Sequence, residues 1–177
     1  GSEMCIRDRC QVKKAQKPYF IENISTNIYS IEELCYYLYH NIYLLDETII
    51  NEQLLVWMKE ELHLRRLYQR LYVLLEEKKN IGEFILPIFK EINYLTYDEL
   101  KALNVKLAKL DQEAPLLRKK RKGDALVANK MYVSAIKVYQ QLLKKEGLEQ
   151  IRPGLTMSVW HNLGCAYSYL FQMEKAM

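Results

Sequence analysis

Residues 160–167 of the 177-residue chain read Trp-His-Asn-Leu-Gly-Cys-Ala-Tyr. Trp160, Leu163, Gly164 and Tyr167 are spaced i, i+3, i+4 and i+7, so on an α-helix they share one face. Three bulky side chains thus surround a position that has none. A glycine inside a helix costs about 1 kcal/mol relative to alanine, so its presence here calls for a packing reason. The reason available is the close approach of a second helix, which a residue without Cβ permits. Ala176, twelve residues beyond Gly164, is the small residue expected to meet it from that second helix. The feature therefore constrains the chain to closely packed helix pairs.

A second copy of the spacing lies upstream. Gly123 precedes Ala135 by twelve residues, Leu126 follows Gly123 at the place of Tyr167, and Tyr139 and Leu142 continue the pattern beyond Ala135. Lys119 and Lys122 stand where the downstream copy has Trp160 and Leu163. The combined pattern, W-x-x-L-G-x-x-Y followed by a small residue and then an aromatic one, resembles the tetratricopeptide repeat family. The two glycines are 41 residues apart, whereas the family period is about 34. The surplus is expected between residues 145 and 157, where Gly147, Pro153 and Gly154 cluster. The resemblance covers repeat one at about 116–149 and repeat two at about 157–177.

What the resemblance implies is an α-solenoid of antiparallel helix pairs, of a kind that holds partner proteins and seldom does chemistry. Its first-helix register would line a partner-binding groove with Lys120, Asp124, Val127 and Ala128, then Ser158, His161, Asn162, Cys165 and Tyr169. Some members of the family grip a partner's C-terminal carboxylate through Lys, Asn and Arg side chains. Lys120 and Asn162 match two of those places, but Asp124 stands where such a clamp has Asn, and its charge repels a carboxylate. Because Met177 falls just inside the second helix of repeat two, a longer protein with further repeats is expected. At the other end, residues 1–9 (Gly-Ser-Glu-Met-Cys-Ile-Arg-Asp-Arg) resemble a translated sequencing-adapter read, and residues 1–17 are read as that artefact plus a disordered leader.

Residues 18–112 are expected to form a separate helical domain. The stretch 17–24 reads as extended, with room for a short strand, because Pro18 and the β-branched and aromatic residues after it disfavour a helix start. Ser30-Ile31-Glu32-Glu33 is a capping box opening a helix to about residue 45. Further helices are expected at about 51–61, at about 64–79, and from the Asn80 cap to 93, the last interrupted or restarted near Pro87. Thr96-Tyr97-Asp98-Glu99 is a second capping box, opening a helix through Leu110. Pro115 then sits in the first turn of the first repeat helix, where proline is tolerated. The overall expectation is an all-α chain, a helical bundle followed by the repeat region at 113–177.

Composition agrees with this and excludes several classes. Half the residues are hydrophobic and 27% are charged, which is the balance of a globular protein. No apolar run reaches the ~18 residues of a membrane span, and no secretory signal is present. A cytoplasmic location is expected, with no membrane partner. Cys5, Cys10, Cys35 and Cys165 form no C-x-x-C pair, and His40, His63 and His161 are dispersed. Zinc is therefore not expected, and the thiols of Cys35 and Cys165 read as buried and unpaired. No nucleophile elbow, phosphate loop or dinucleotide turn occurs, so neither an enzyme nor a cofactor is expected.

Charge is uneven. Residues 11–110 carry 13 basic and 14 acidic side chains, net −1, while residues 111–177 carry 11 and 6, net +5. Much of that excess is Arg118-Lys119-Lys120-Arg121-Lys122, which reads either as a solvated helix start or as an anion-binding patch. The leading expectation is a scaffold or adaptor whose groove binds a protein segment. The alternative is a repeat-containing transcriptional regulator or nucleic-acid-associated protein using the basic cluster. The abundant Tyr and Trp read as core, with an aromatic interaction surface as the other reading.

Overall fold

A computed structural model of the chain describes residues 13–176. Residues 1–9, Cys10 and Met177, which carry the expectations about the two ends, lie outside the described residues. The described chain is predominantly helical and divides into two compact units after Leu107.

The first unit opens with a hairpin of β1 (Tyr19–Ile21) and β2 (Thr26–Ile28), paired antiparallel with Tyr19 opposite Ile28. Ser25, in the left-handed region at φ 47°, turns the chain between them. The extended reading of residues 17–24 holds for the first strand but not for Glu22–Ile24, a 3₁₀ turn, and β2 is an addition. Ile21 and Ile28 point into the core. The described end of the expected disordered leader, residues 13–17, is instead fastened: Glu61 accepts hydrogen bonds from the backbone N–H groups of Gln16 and Lys17 at 3.1 and 3.2 Å. The Trp57 indole N–H donates to the Lys17 carbonyl at 2.8 Å.

Four helices follow: α1 (Ile31–His40), α2 (Glu52–Glu60), α3 (Arg65–Glu76) and α4 (Ile81–Glu91). Local chemistry sets their starts. The Ser30 hydroxyl accepts from the Glu33 N–H, and Asn51 and Asn80 do the same for Leu54 and Glu83, each satisfying one orphan donor of the first turn. Two expectations need correction. The first helix ends at His40 rather than near residue 45, because the Asn41 side chain donates back to the Tyr37 carbonyl and caps it. A short 3₁₀ turn, Ile42–Leu44, takes its place. The fourth helix passes through Pro87 unbroken. An interior proline costs about 3 kcal/mol, but Phe84, Ile85, Ile88 and Phe89 are all buried on this helix, at about 1.5–3 kcal/mol each. The gain from keeping that face intact exceeds the loss.

Helix α5 (Tyr97–Gln112) starts at a reciprocal capping box. The Thr96 hydroxyl accepts from the Glu99 N–H, and the Glu99 carboxylate accepts from the Thr96 N–H. After the end of α5, the second unit holds α6 (Pro115–Ala128), α7 (Tyr132–Leu143), the short α8 (Leu148–Ile151) and α9 (Leu155–Ala176). Pro115 occupies the first turn of α6 as expected. Residues 129–131 link α6 to α7. Lys130 is left-handed at φ 61°, and the Met131 N–H reaches back to the Leu126 carbonyl at 2.8 Å, a Schellman-type closure. The surplus residues between the two sequence copies form α8, bounded by Gly147 at φ 99° and Gly154 at φ 83°.

Candidate functional site

In the second unit α6 and α7 fold back on each other as a hairpin. Gly123 and Tyr139 meet across the pair. A Cβ added at Gly123 would sit 2.6 Å from Tyr139 Cε1, so the glycine is what lets the ring lie against the α6 backbone. Ala135, Tyr139 and Leu142 are fully buried, and Leu126 nearly so. The upstream sequence copy therefore makes the close contact that its spacing implies.

The Tyr139 hydroxyl reaches across and donates to Asp124 on α6. Burial, followed by this hydrogen bond to a carboxylate, pushes the phenol well above its ordinary range. Asp124 has two further partners. Lys120 Nζ lies 2.8 Å from its Oδ2, and Asn162 Nδ2 donates to its Oδ1 at 2.9 Å. One carboxylate thus ties α6, α7 and α9 together. The sequence register grouped Lys120, Asp124 and Asn162 on a groove, and the fold does bring them together. It also gives them to one another, since the two donors placed to hold a partner's carboxylate hold this internal one.

The other groove candidates are scattered in environment. Val127, Ser158 and Cys165 are half-buried, while Ala128, His161 and Tyr169 are exposed. The Tyr169 ring stacks on Tyr132 with centroids 5.5 Å apart. Cys165 Sγ lies 3.7 Å from His161 Nε2, one turn away on α9. Cys165 is therefore not the buried thiol expected. Cys35 is buried, and desolvation pushes its thiol up to about 12.

Helix α9 departs from its sequence reading in two respects. It runs unbroken from Leu155 to Ala176, so Ala176 belongs to the same helix as Gly164 and not to a second one. Residues 168–175 hold no Gly or Pro, and a helix continues by default where nothing interrupts it. The four signature residues also part company. Leu163 is buried beside Leu155, Val159 and Ala166 on the face packed against α7. Trp160 and Tyr167 are 57% and 46% exposed, and no atom lies within 4 Å of a Cβ built at Gly164. The Tyr167 hydroxyl accepts a hydrogen bond from Gln140 Nε2 at 2.8 Å, which fixes its ring at the edge of that open face.

Two residues that the signature does not include complete the open face. Met157 lies one turn before Trp160 and Phe171 one turn after Tyr167, and both are exposed. Their spacing of seven on either side of Gly164 was legible as a second apolar stripe. The result is an uncharged groove floor at Gly164 with Met157, Trp160, Tyr167 and Phe171 around it.

The basic cluster is not a uniform patch. Lys120 is paired with Asp124, and Arg121 Nε lies 2.6 Å from the Glu113 carboxylate. Among the described residues no group of three or more His, Cys, Asp or Glu side chains could hold a metal ion, and no helix is long and apolar enough to cross a membrane. An open hollow of about 420 Å³ in the first unit is lined by Lys17, Val56, Trp57 and the acidic side chains Glu52, Glu60 and Glu61. No protein-family model, no curated protein and no solved structure matches this chain.

Proposed function

We propose that this chain is a non-enzymatic protein-interaction module of the tetratricopeptide-repeat type, a scaffold or adaptor. Its partner element is an uncharged, largely apolar helix carrying a small residue at the point of closest approach. The observation that carries this reading is the open face of α9. Four large apolar side chains surround a glycine with empty space above it, and contiguous exposed apolar surface marks interaction sites. Trp and Tyr are effective anchors because they bring large area at low entropic cost. A helix laid in the groove would find its backbone admitted at Gly164 and its side chains received between the aromatic rings. The Lys120–Asp124–Asn162 network supports the same choice, since the groove that would take a carboxylate is already filled by one. The pairing of Lys120 and Arg121 with acids favours a protein partner over nucleic acid. A cytoplasmic setting is proposed with this function, in keeping with the free thiols of Cys35 and Cys165.

The test uses Trp160 fluorescence. Titration with a synthetic amphipathic helix bearing Leu and Ala on one face is expected to blue-shift the emission and saturate. A peptide of the same composition with its apolar residues at alternate positions is expected to do neither. Equal responses to the two peptides, or the same shift in a Trp160→Phe variant, would remove the reading.

A further inference from the structure

We infer that a hollow between α3 and α4 in the first unit is a binding site for a phosphate monoester, the dianion of a phosphorylated side chain on a partner protein. The hollow belongs to the other unit from α9, and the inference does not depend on the reading of that helix.

The hollow has a volume of about 240 Å³ and is lined by Arg66, Leu67, Arg70, Pro87, Lys90 and Glu91. Arg66 and Arg70 are one turn apart on α3, so they share a face. Helix α4 contributes the other wall through Pro87, Lys90 and Glu91. Leu67 and Pro87 are buried and make an apolar floor, and the charged residues around it are exposed.

Among the described residues, none of the three cations is paired with a carboxylate. Glu91 is the one acid in the lining, which leaves two net positive charges. The basic stretch of α6 differs, since Lys120 and Arg121 there each have an acidic partner. Like charges one turn apart on a helix repel. Lys90 has a local reason for its place, because it lies in the last turn of α4, where a cation suits the helix dipole. Arg66 has the reverse. It lies in the first turn of α3, which carries no acid and no side-chain cap, at the end where a cation is disfavoured. An anion in the hollow relieves both penalties at once.

The lining also selects among anions. Guanidinium forks suit the oxygens of a phosphate, which they hold bidentately. A phosphate monoester carries about −1.5 to −2 at neutral pH, which matches the lining, whereas a carboxylate or a phosphodiester carries a single charge. The apolar floor suits the carbon atoms of the ester. A membrane surface or a nucleic-acid backbone needs basic surface well beyond one hollow. Here the attraction is local, since residues 11–110 carry net −1 and a second hollow of the unit is lined by Glu52, Glu60 and Glu61. A single phosphorylated side chain is the occupant that fits a site of this extent.

The first probe is phenyl phosphate, titrated into the isotope-labelled whole chain at about pH 7.5, where the monoester is a dianion. The arginine Nε–H resonances report binding. Saturable shifts with a dissociation constant on the order of 1 mM are expected. Phenyl sulfate, the same shape with one charge, should bind roughly tenfold more weakly. Arg66→Ala should weaken binding about tenfold, and Arg70→Lys, which keeps the charge and loses the fork, about threefold. Glu91→Gln removes the opposing charge and should tighten binding about threefold, a gain that no folding defect would produce. A short peptide with a central phosphoserine should move the same resonances, and its unphosphorylated form should not. The absence of saturable shifts, equal binding of the two phenyl esters, or indifference to both Arg66→Ala and Glu91→Gln would overturn the inference. So would binding of a single-stranded oligonucleotide, or of vesicles carrying a phosphoinositide, through Arg66 and Arg70 when the phosphoserine peptide binds no better than its unphosphorylated form. The Trp160 titration reads the α9 face alone, so either reading can fail without the other.

Discussion

Gly123 and Gly164 hold equivalent places in the two copies of one sequence pattern, and their surroundings differ completely. A methyl group at Gly123 would land 2.6 Å from the ring of a buried tyrosine, while one at Gly164 would meet nothing within 4 Å. At Gly123 the conformational cost of glycine is offset by a contact within the chain. At Gly164 the same cost is incurred with no contact to offset it. One motif therefore describes a completed helix pair in α6 and α7 and an uncovered face in α9. That difference is the observation on which the proposed interaction reading rests.

The largest effect that tests the comparison comes from the ring that Gly123 admits. Tyr139→Ala should cost about 3–5 kcal/mol, as large-to-small changes of buried aromatics do. Trp160→Ala, with its ring exposed on the other copy, should change stability by no more than about 0.5 kcal/mol. Urea unfolding followed by circular dichroism measures both. Comparable losses would mean that the two copies are equally packed.

Next in size is Gly123→Ala. The clashing atoms belong to a ring held at its far end by Asp124 and cannot swing away cheaply. Overpacking costs about 1–3 kcal/mol, against a helix-propensity gain of about 1 kcal/mol. A net loss of about 0–2 kcal/mol, seen as a lowered denaturant midpoint, is the expected outcome.

Alkaline pH separates the two units by a different route. The Cys35 thiol in the first unit is raised by burial, then by the nearby Glu32 charge, to about 12. A group whose folded value is raised contributes stability that is complete below its unfolded value and is lost as pH rises toward the folded one. From an ordinary thiol value near 8.5, about 1.4 kcal/mol should be lost by pH 9.5. Tyr139 in the second unit is raised in the same direction, but from about 10, so its contribution survives at that pH. Unfolding followed through Trp57 at neutral pH and at pH ~9.5 reads the first loss. Cys35→Ala should remove most of this pH dependence even though it lowers stability throughout.

The smallest effect has the opposite sign. Gly164→Ala should stabilise the monomer by up to about 1 kcal/mol, the intrinsic difference between the two residues in an exposed helix. If it destabilises instead, Gly164 is in contact with something and the asymmetry between the copies disappears.

Helix starts were legible because their causes are local. Ser30, Asn51, Asn80 and Thr96 each bond a backbone N–H three residues on, and such a bond can be read from side-chain type and spacing. Other features depended on partners distant in sequence. Strand β2 exists because Thr26–Ile28 finds Tyr19–Ile21. The helix through Pro87 is held by the burial of its neighbours in a core built from several elements. Lys120, Asp124 and Asn162 were grouped correctly by register, yet their mutual engagement needed α9 to be placed beside α6.

The sequence by itself pointed to a tight helix pair at about 116–149, from a glycine, an alanine and a tyrosine at repeat-like intervals. It also pointed to a helix through Trp160, Leu163, Gly164 and Tyr167, whose continuation to Ala176 appeared only in the fold. Which side is buried was decided only by the tertiary structure. Leu155, Val159, Leu163 and Ala166 make one stripe, and Met157, Trp160, Tyr167 and Phe171 another. Periodicity identifies both stripes without ranking them, since it reports spacing along one helix and carries nothing about the surface opposite. The ranking came from the neighbouring helices, which pack on the first stripe and leave the second outside.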